Sequence, residues 1–380
     1  MRFRYCIPVI CATLLLGLSL CSRELQAQKT ADASHGSWTF AVSGDSRNCG
    51  DIVMPAIAAG VKSHNAQFYW HLGDYRAIYM IDEDYLAAHP KTYVLDYEMN
   101  AWPDFIQHQI APFGDLPVFL GMGNHETIPP KGRSEYIAQF ADWLDKPMLQ
   151  QQRLADNPAD HQLRTYYHWI ERGVEFINVD NASPDEFDAA QLAWFNNVLN
   201  RAAANAEIRS VVVGMHAALP DSLSAGHSMN DSAQQAVSGR QAYAALVSFR
   251  KQTHKNVYVL ASHSHFVMDN IYADACHPGD DVLPGWIIGT AGAVHYKLPL
   301  EHASSTIATT DVYGYLLATV AEDGSIKFEF QQVMQSDVPA ATVNEFTPAQ
   351  VKWCFEQNSN PTPIAGPTCP VCKQCASSSN

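Results

Sequence analysis

Five short polar blocks, each set directly behind an apolar run, constrain this sequence more than any other feature. In chain order they are Gly44-Asp45-Ser46-Arg47, Gly73-Asp74-Tyr75, Gly123-Asn124-His125-Glu126, Gly214-Met215-His216 and His263-Ser264-His265. The runs ahead of them, at 37–43, 67–72, 117–122, 208–215 and 256–261, have strand length. Sheets of α/β type present their ligands at the carboxyl ends of strands, so such a chain brings these side chains to one edge. Taken singly, each block has a plain reading, since a Gly-Asp pair is a turn and a lone histidine is a packed or surface residue. Five in the order Asp, Asp, Asn-His, His, His-x-His do not.

The rest of the chain alternates in the same way. Further strands are expected at 165–170, 174–179, 286–289, 313–320 and 326–332. Helices are expected at 52–61, near 101–110 and over 233–249, and another behind the capping box Ser183-Pro-Asp-Glu186, where Leu192, Phe195 and Leu199 follow at helical spacing. An irregular, aromatic-rich insertion covers about 75–100. The pattern is that of an α/β domain with hairpin-like pairs toward its C-terminal half, and no internal repeat is visible.

Composition narrows the class. The 380 residues are 47% hydrophobic and 17% charged, which excludes disorder, coiled coil and collagen. Acidic residues outnumber basic ones, 39 to 24, for a formal charge of −15, and no Lys/Arg block offers a footprint for nucleic acid. Residues 1–27 have Arg2 and Arg4, then an apolar run from Cys6 to Leu20, and end on Leu25-Gln-Ala27, the form of a secretory signal peptide. Cleavage there leaves 21 basic and 38 acidic residues, net −17, in a secreted or periplasmic chain with no membrane attachment. It also leaves six cysteines (Cys49, Cys276, Cys354, Cys369, Cys372 and Cys375), an even number read as disulfides rather than a zinc cluster. The domain is expected over 28–334, followed by a Cys/Pro-rich tail over 335–380.

Two aspartates, an asparagine and three histidines make a mixed oxygen and nitrogen donor set, suited to Mn, Fe, Zn or Ni more than to Ca. His263 and His265 share one side of an extended segment and can serve adjacent metals. With these blocks in this order, the chain resembles the calcineurin-like metallophosphoesterases, and within them the purple-acid-phosphatase-related branch. The resemblance spans about 37–333. It includes Val174-Glu-Phe-Ile-Asn-Val-Asp180, Gln191 with Trp194, Gly289-Thr-Ala-Gly292 and Tyr313-Gly-Tyr315.

The resemblance implies a four-layer αββα sandwich around two metal ions, most often Fe, Mn or Zn. Asp74 would bridge them. Asn124, His216 and His263 would complete one site, and Asp45 and His265 would bind the other. His125 would face the phosphate and protonate the leaving oxygen. The implied activity is hydrolysis of a small phosphate ester by metal-bound hydroxide, two cations about 4 Å apart holding the phosphoryl oxygens.

The sequence departs from that family in its first block. Most members have Asp-x-His there, the histidine being a ligand, where this chain has Arg47; the tyrosine that the purple enzymes recruit falls on Ala77. The first site then keeps Asp45, Asp74 and His265, with Tyr75 and Tyr79 off the expected spacing. Arg47 is read as a clamp on substrate phosphate, which guanidinium geometry suits. Ser262 replaces the usual glycine before His263. His71 is read as a core or supporting residue, His227 and His295 as candidates to line the pocket, and Tyr79, Tyr85, Tyr93 and Trp102 as a substrate wall or as packing.

Two rivals come from other classes. A Gly-Asp-Ser-type serine esterase would use Ser46 as nucleophile, with Asp274-Ala-Cys-His277 as its acid and base. A non-catalytic scaffold on the same fold would explain the incomplete first site, though not His125.

Overall fold

The computed structural model describes residues 36–182, 186–224, 227–230, 233–273, 279–299 and 305–360. Twelve strands among them are β1 (Trp38–Ser43), β2 (Tyr69–His71), β3 (Val118–Leu120), β4 (Tyr167–Glu171), β5 (Val174–Asn178), β6 (Ser210–Gly214), β7 (Asn256–Ala261), β8 (Val267–Asp269), β9 (Gly285–Ile288), β10 (Ala308–Thr309), β11 (Tyr313–Val320) and β12 (Ile326–Val333). The helices are α1 (Gly50–Ser63), α2 (Glu83–Ala88), α3 (Val94–Phe105), α4 (Arg133–Gln139), α5 (Ala141–Leu144), α6 (Pro147–Asp156), α7 (Ala189–Ala204), α8 (Ala233–Thr253) and α9 (Ala340–Glu356).

The strands form two mixed sheets, of order β12-β11-β1-β2-β3 and β10-β8-β9-β7-β6-β5-β4. In the first, β1, β2 and β3 run parallel, with Ala41 opposite Tyr69 and Tyr69 opposite Val118. In the second, β5, β6, β7 and β9 run parallel, with Val211 opposite Val257. Strands buried on both faces need apolar residues at nearly every position, which is why the runs leading to the blocks do not alternate.

Aromatic side chains fill the space between the sheets. Phe40, Trp70, Phe119, Trp169 and Phe176 belong to one buried cluster with residues of both sheets, and Phe119 stacks on Trp169 at 4.0 Å. Trp70 also donates its indole N–H to Asn178 Oδ1 at 3.0 Å, a polar tie across the sandwich. A second cluster joins the outer face of the first sheet to α1, and a third joins the second sheet to α7 and α8. The layers are therefore helix, sheet, sheet, helix, the α/β sandwich expected.

Three stretches differ from the sequence reading. The insertion at 75–100 is not irregular throughout: α2 and much of α3 lie in it, with Tyr97 and Ala101 buried around Ile78 and Tyr85. Helix α7 starts at Ala189, capped by Asp188, whose carboxylate accepts the Gln191 N–H at 2.7 Å. Ser183-Pro184-Asp185 of the expected capping box lie outside the described residues.

The third difference lies after Met334, where a loop-rich tail was expected. Residues 340–356 form α9, two helical segments broken at Thr347 (φ 67°) ahead of Pro348, and its Phe346, Val351 and Cys354 are buried in the α1 cluster. Cys354 is disulfide-bonded to Cys49, immediately ahead of α1. The prolines that mark the tail as loop begin only at Pro361. Cys276, Cys369, Cys372 and Cys375 lie outside the described residues.

Candidate metal centre

Each polar block follows a parallel strand at its carboxyl end: the first three behind β1, β2 and β3, the last two behind β6 and β7. The two sheets face each other, so these ends meet at one rim of the sandwich. Sharp turns leave the strands there. Asp45, Asp74 and His263 all have positive φ (60°, 60° and 67°), a conformation uncommon for residues with a side chain. Gly73, at φ 97°, is a required glycine, since a Cβ would strike the Gly123 backbone.

Glu126 locks two of these loops together. Its Oε2 accepts the N–H groups of Asp74 and Gly123, each at 2.8 Å, and its Oε1 that of Tyr75 at 2.9 Å. Burial, then the Asp74 charge, push its carboxyl up to about 8. The sequence reading quoted Glu126 but gave it no role. Its signal is weak, because a buried carboxylate serving backbone N–H groups has no spacing of its own.

Two groups of donors share Asp74. In the first, His216 Nδ1 lies 3.0 Å from the Leu72 carbonyl, which only accepts, so this nitrogen carries a proton. Nε2 of the same ring then faces Asn124 Oδ1 at 2.9 Å, His263 Nδ1 at 3.0 Å and Asp74 Oδ1 at 3.3 Å. One ring nitrogen thus meets three polar atoms, and at most one hydrogen on it can serve them. Burial opposes charge on His216, but the Asp74 carboxylate outweighs it and pushes the pKa up to about 10. Ligand atoms of Asp74, His216 and His263 lie within 4.8 Å of one another, with Asn124 Oδ1 beside them, and this mixed oxygen and nitrogen set fits a metal ion.

The second group is Asp45, Asp74 and His265, also within reach of one another. Asp45 Oδ2 accepts the His263 N–H at 2.7 Å, while its Oδ1 and Asp74 Oδ2 are buried without a hydrogen-bond partner. Burial, with the nearby Asp74 adding to it, pushes the Asp45 carboxyl up to about 6. Here the donor set is not free. Arg47 Nη2 lies 3.2 Å from His265 Nε2 and donates to Tyr296 Oη at 3.2 Å, and Nη1 reaches Tyr79 Oη at 3.4 Å.

His125 sits beside both groups. Its Nδ1 donates to the Ala77 carbonyl at 2.6 Å, which leaves Nε2 directed to the centre, 3.6 Å from Asp74 Oδ2. Burial holds its pKa below the ordinary histidine value. All eight residues singled out from the sequence are thus brought to one place.

The remaining candidates separate. His227 lies over the centre, its ring 5.0 Å from that of His263 and stacked on Tyr296 at 4.9 Å, and Tyr296 stacks on His265 at 3.9 Å. Tyr296 was missed, being 249 residues from Arg47 in sequence and in no motif. His295 packs instead against Tyr313. Tyr79 reaches Arg47 and His125, whereas Tyr85 and Trp102 are buried packing and Tyr93 is exposed. Tyr75 points away, its hydroxyl on Tyr136 and the Gly121 carbonyl.

His71 bears on the serine esterase. Its Nδ1 accepts the Gly73 N–H at 3.2 Å, so Nε2 carries the proton and donates to Ser46 Oγ at 2.9 Å. A general base would need the opposite arrangement. Burial holds this ring at a pKa of about 3, and Ser46 itself is fully buried. Asp274 and His277 lie outside the described residues.

No curated protein matches the chain. A solved structure titled "Structure of PhoD" is similar over 83% of this chain and 77% of its own, at 13% identity and a TM-score of 0.49. A dimetal phosphatase from Danio rerio is similar over 78% of this chain and 98% of its own, at 12% identity and a TM-score of 0.45. The family described as calcineurin-like phosphoesterase matches residues 39–266, a span that contains all five blocks and every donor named above, and the chain belongs to that family.

Proposed function

We propose that this chain is an exported, metal-dependent phosphoesterase that hydrolyses small phosphate esters. The observation that carries the reading is the convergence of Asp74, Asn124, His216 and His263, from four loops, on one point where their oxygen and nitrogen atoms meet. A metal ion held there, of the Fe, Mn or Zn class that this donor set suits, supplies Lewis-acid polarisation of a phosphoryl oxygen and a more acidic water.

The chain's own residues do the rest. Glu126 fixes the Asp74 and Asn124 loops against each other, so the donors are positioned before substrate arrives. Arg47 offers a buried guanidinium at the same rim, suited to the remaining phosphoryl oxygens. His125, oriented by the Ala77 carbonyl, presents Nε2 where it can hold a proton for the leaving oxygen. Leu72 and Ser262 orient His216 from behind through Nδ1.

Export is supported by the charged start and apolar run of residues 1–27 and by the Cys49–Cys354 disulfide, a bond of oxidising compartments. No helix among the described residues is long and apolar enough to cross a membrane. The acidic balance favours small esters over nucleic acid as substrate. Likeness to the purple-acid-phosphatase-related branch rests on sequence pattern alone. The tyrosine of that branch falls on Ala77, and Tyr79 is engaged by Arg47, so no purple tyrosinate is expected.

The test is a panel of p-nitrophenyl phosphate and bis(p-nitrophenyl) phosphate with protein reconstituted in Mn(II), Zn(II) or Fe. Hydrolysis of one or both is expected, with His125→Ala lowering kcat by about 10²–10⁴-fold and Ser46→Ala keeping most of the activity. Metal-loaded protein inert on both esters would support the scaffold instead, and full loss in Ser46→Ala with metal-independent activity would support the esterase.

A further inference from the structure

At the first position of the centre, Asp45 with Asp74 and His265, the histidine is engaged by a guanidinium. His265 Nδ1 donates to the Val294 carbonyl at 2.7 Å, so the one free lone pair of the ring is on Nε2. That lone pair faces Arg47 Nη2 at 3.2 Å. A guanidinium does not give up its proton in a protein, so Arg47 is the donor and His265 the acceptor. A single lone pair serves a hydrogen bond or a metal ion, and not both.

Arg47 is built into this place. It is 5% exposed, its Nη2 also donates to Tyr296 Oη, and Nη1 reaches Tyr79 Oη. Tyr296 is held in turn by stacking on His265 at 3.9 Å and beside His227. Asp45 and Arg47 leave the same turn two residues apart, so the guanidinium is tethered to the loop that carries one of the ligand carboxylates. Asp45 Oδ1, 3.5 Å from His265 Nε2, and Asp74 Oδ2 have no hydrogen-bond partner, and the guanidinium charge acts on both carboxylates through space rather than by contact. A second metal ion would have to displace the guanidinium from His265 and sit against its charge. At the Asp74, Asn124, His216 and His263 group the polar atoms face one another, and the contacts of Arg47 go to His265, Tyr296 and Tyr79 instead.

We infer that the Arg47 guanidinium is the resident cation of the first position and that this chain holds a single metal ion, at Asp74, Asn124, His216 and His263. The inference rests on the proposed metal-dependent centre and says what kind of centre it is. Substrate phosphate would be gripped between the ion and the guanidinium, with Tyr79 and Tyr296 holding the latter in place.

Metal content tests this without reference to turnover. Metal-free protein is dialysed to equilibrium against Mn(II), the bound metal counted by elemental analysis, and the bound Mn(II) examined by electron paramagnetic resonance. Wild type is expected to hold one Mn(II) per chain with the six-line signal of an isolated ion. Arg47→His, which removes the guanidinium and adds an imidazole, is expected to hold two, with the spin-coupled signal of ions about 4 Å apart. His216→Ala is expected to lose the wild-type ion, and thermal melts confirm that each variant is folded. Two ions in wild type, a folded Arg47→His that still holds one, or retention of the ion in His216→Ala with its loss in His265→Ala would each overturn the inference. Two ions with ester hydrolysis would remove this inference and leave the phosphoesterase reading standing. One ion without hydrolysis would do the reverse.

Discussion

Glu126 shows how much of this centre depends on groups that never touch a substrate. Its carboxylate takes three backbone N–H groups from two loops, and beside it Gly123 leaves no room for a Cβ against Asp74. Glu126→Ala leaves three buried donors unpaired and is expected to cost about 3 kcal/mol and to weaken Mn(II) binding at least tenfold, with Glu126→Gln between it and wild type. Urea unfolding and metal titration check the two effects; unchanged metal affinity in a folded Glu126→Ala would show that the loops hold their geometry without it. At this scale the sequence was legible for Asp45, Asp74, Asn124, His125, His216, His263 and His265, because each directly follows a strand-like run. It was not legible for Glu126, because a carboxylate that serves backbone N–H groups has no spacing of its own, nor for Tyr296 or the contact between Arg47 and His265, whose partners lie more than 200 residues apart.

Among the elements, the strands were the most readable. β7 falls at 256–261 and β11 at 313–320 as their apolar runs indicate, because strands buried on both faces have few polar positions to confuse the reading. Helices were harder at their ends, as the start of α7 shows, and α9 was hidden behind Pro348 and the turn-rich sequence that follows it. α9 matters to the centre through its bond to Cys49, two residues beyond Arg47 and directly ahead of α1. The bond closes a sequence separation of 305 residues, and removing such a crosslink costs about 2–5 kcal/mol. Cys354→Ser, or reduction of the wild type, is accordingly expected to lower the Tm by several degrees under non-reducing comparison. An unchanged Tm would mean that the Phe346 and Val351 contacts of α9 hold the helix alone.

For the whole molecule, the arrangement follows from placing two sheets with their parallel strands ending at a common rim. Asp45, Asp74 and Asn124 come from one sheet and His216, His263 and His265 from the other, so neither sheet by itself assembles a set of donors. The inter-sheet aromatics Trp70, Phe119, Trp169 and Phe176 therefore set the spacing on which the centre depends. Family membership and the layer order could be anticipated from the five blocks, but the relative position of the two sheets could not, because it is decided by side-chain packing between residues far apart in the chain. The formal charge of −15 describes a surface that repels phosphate, whereas the centre answers with Arg47 and the metal ion its donors call for. The most direct measurement of that claim is hydrolysis of p-nitrophenyl phosphate by wild-type protein before exhaustive chelation, after it, and after Mn(II) is restored. Activity that disappears on chelation and returns with metal in wild type, but does not return in His216→Ala, is the predicted result; undiminished hydrolysis by fully metal-free protein would contradict it.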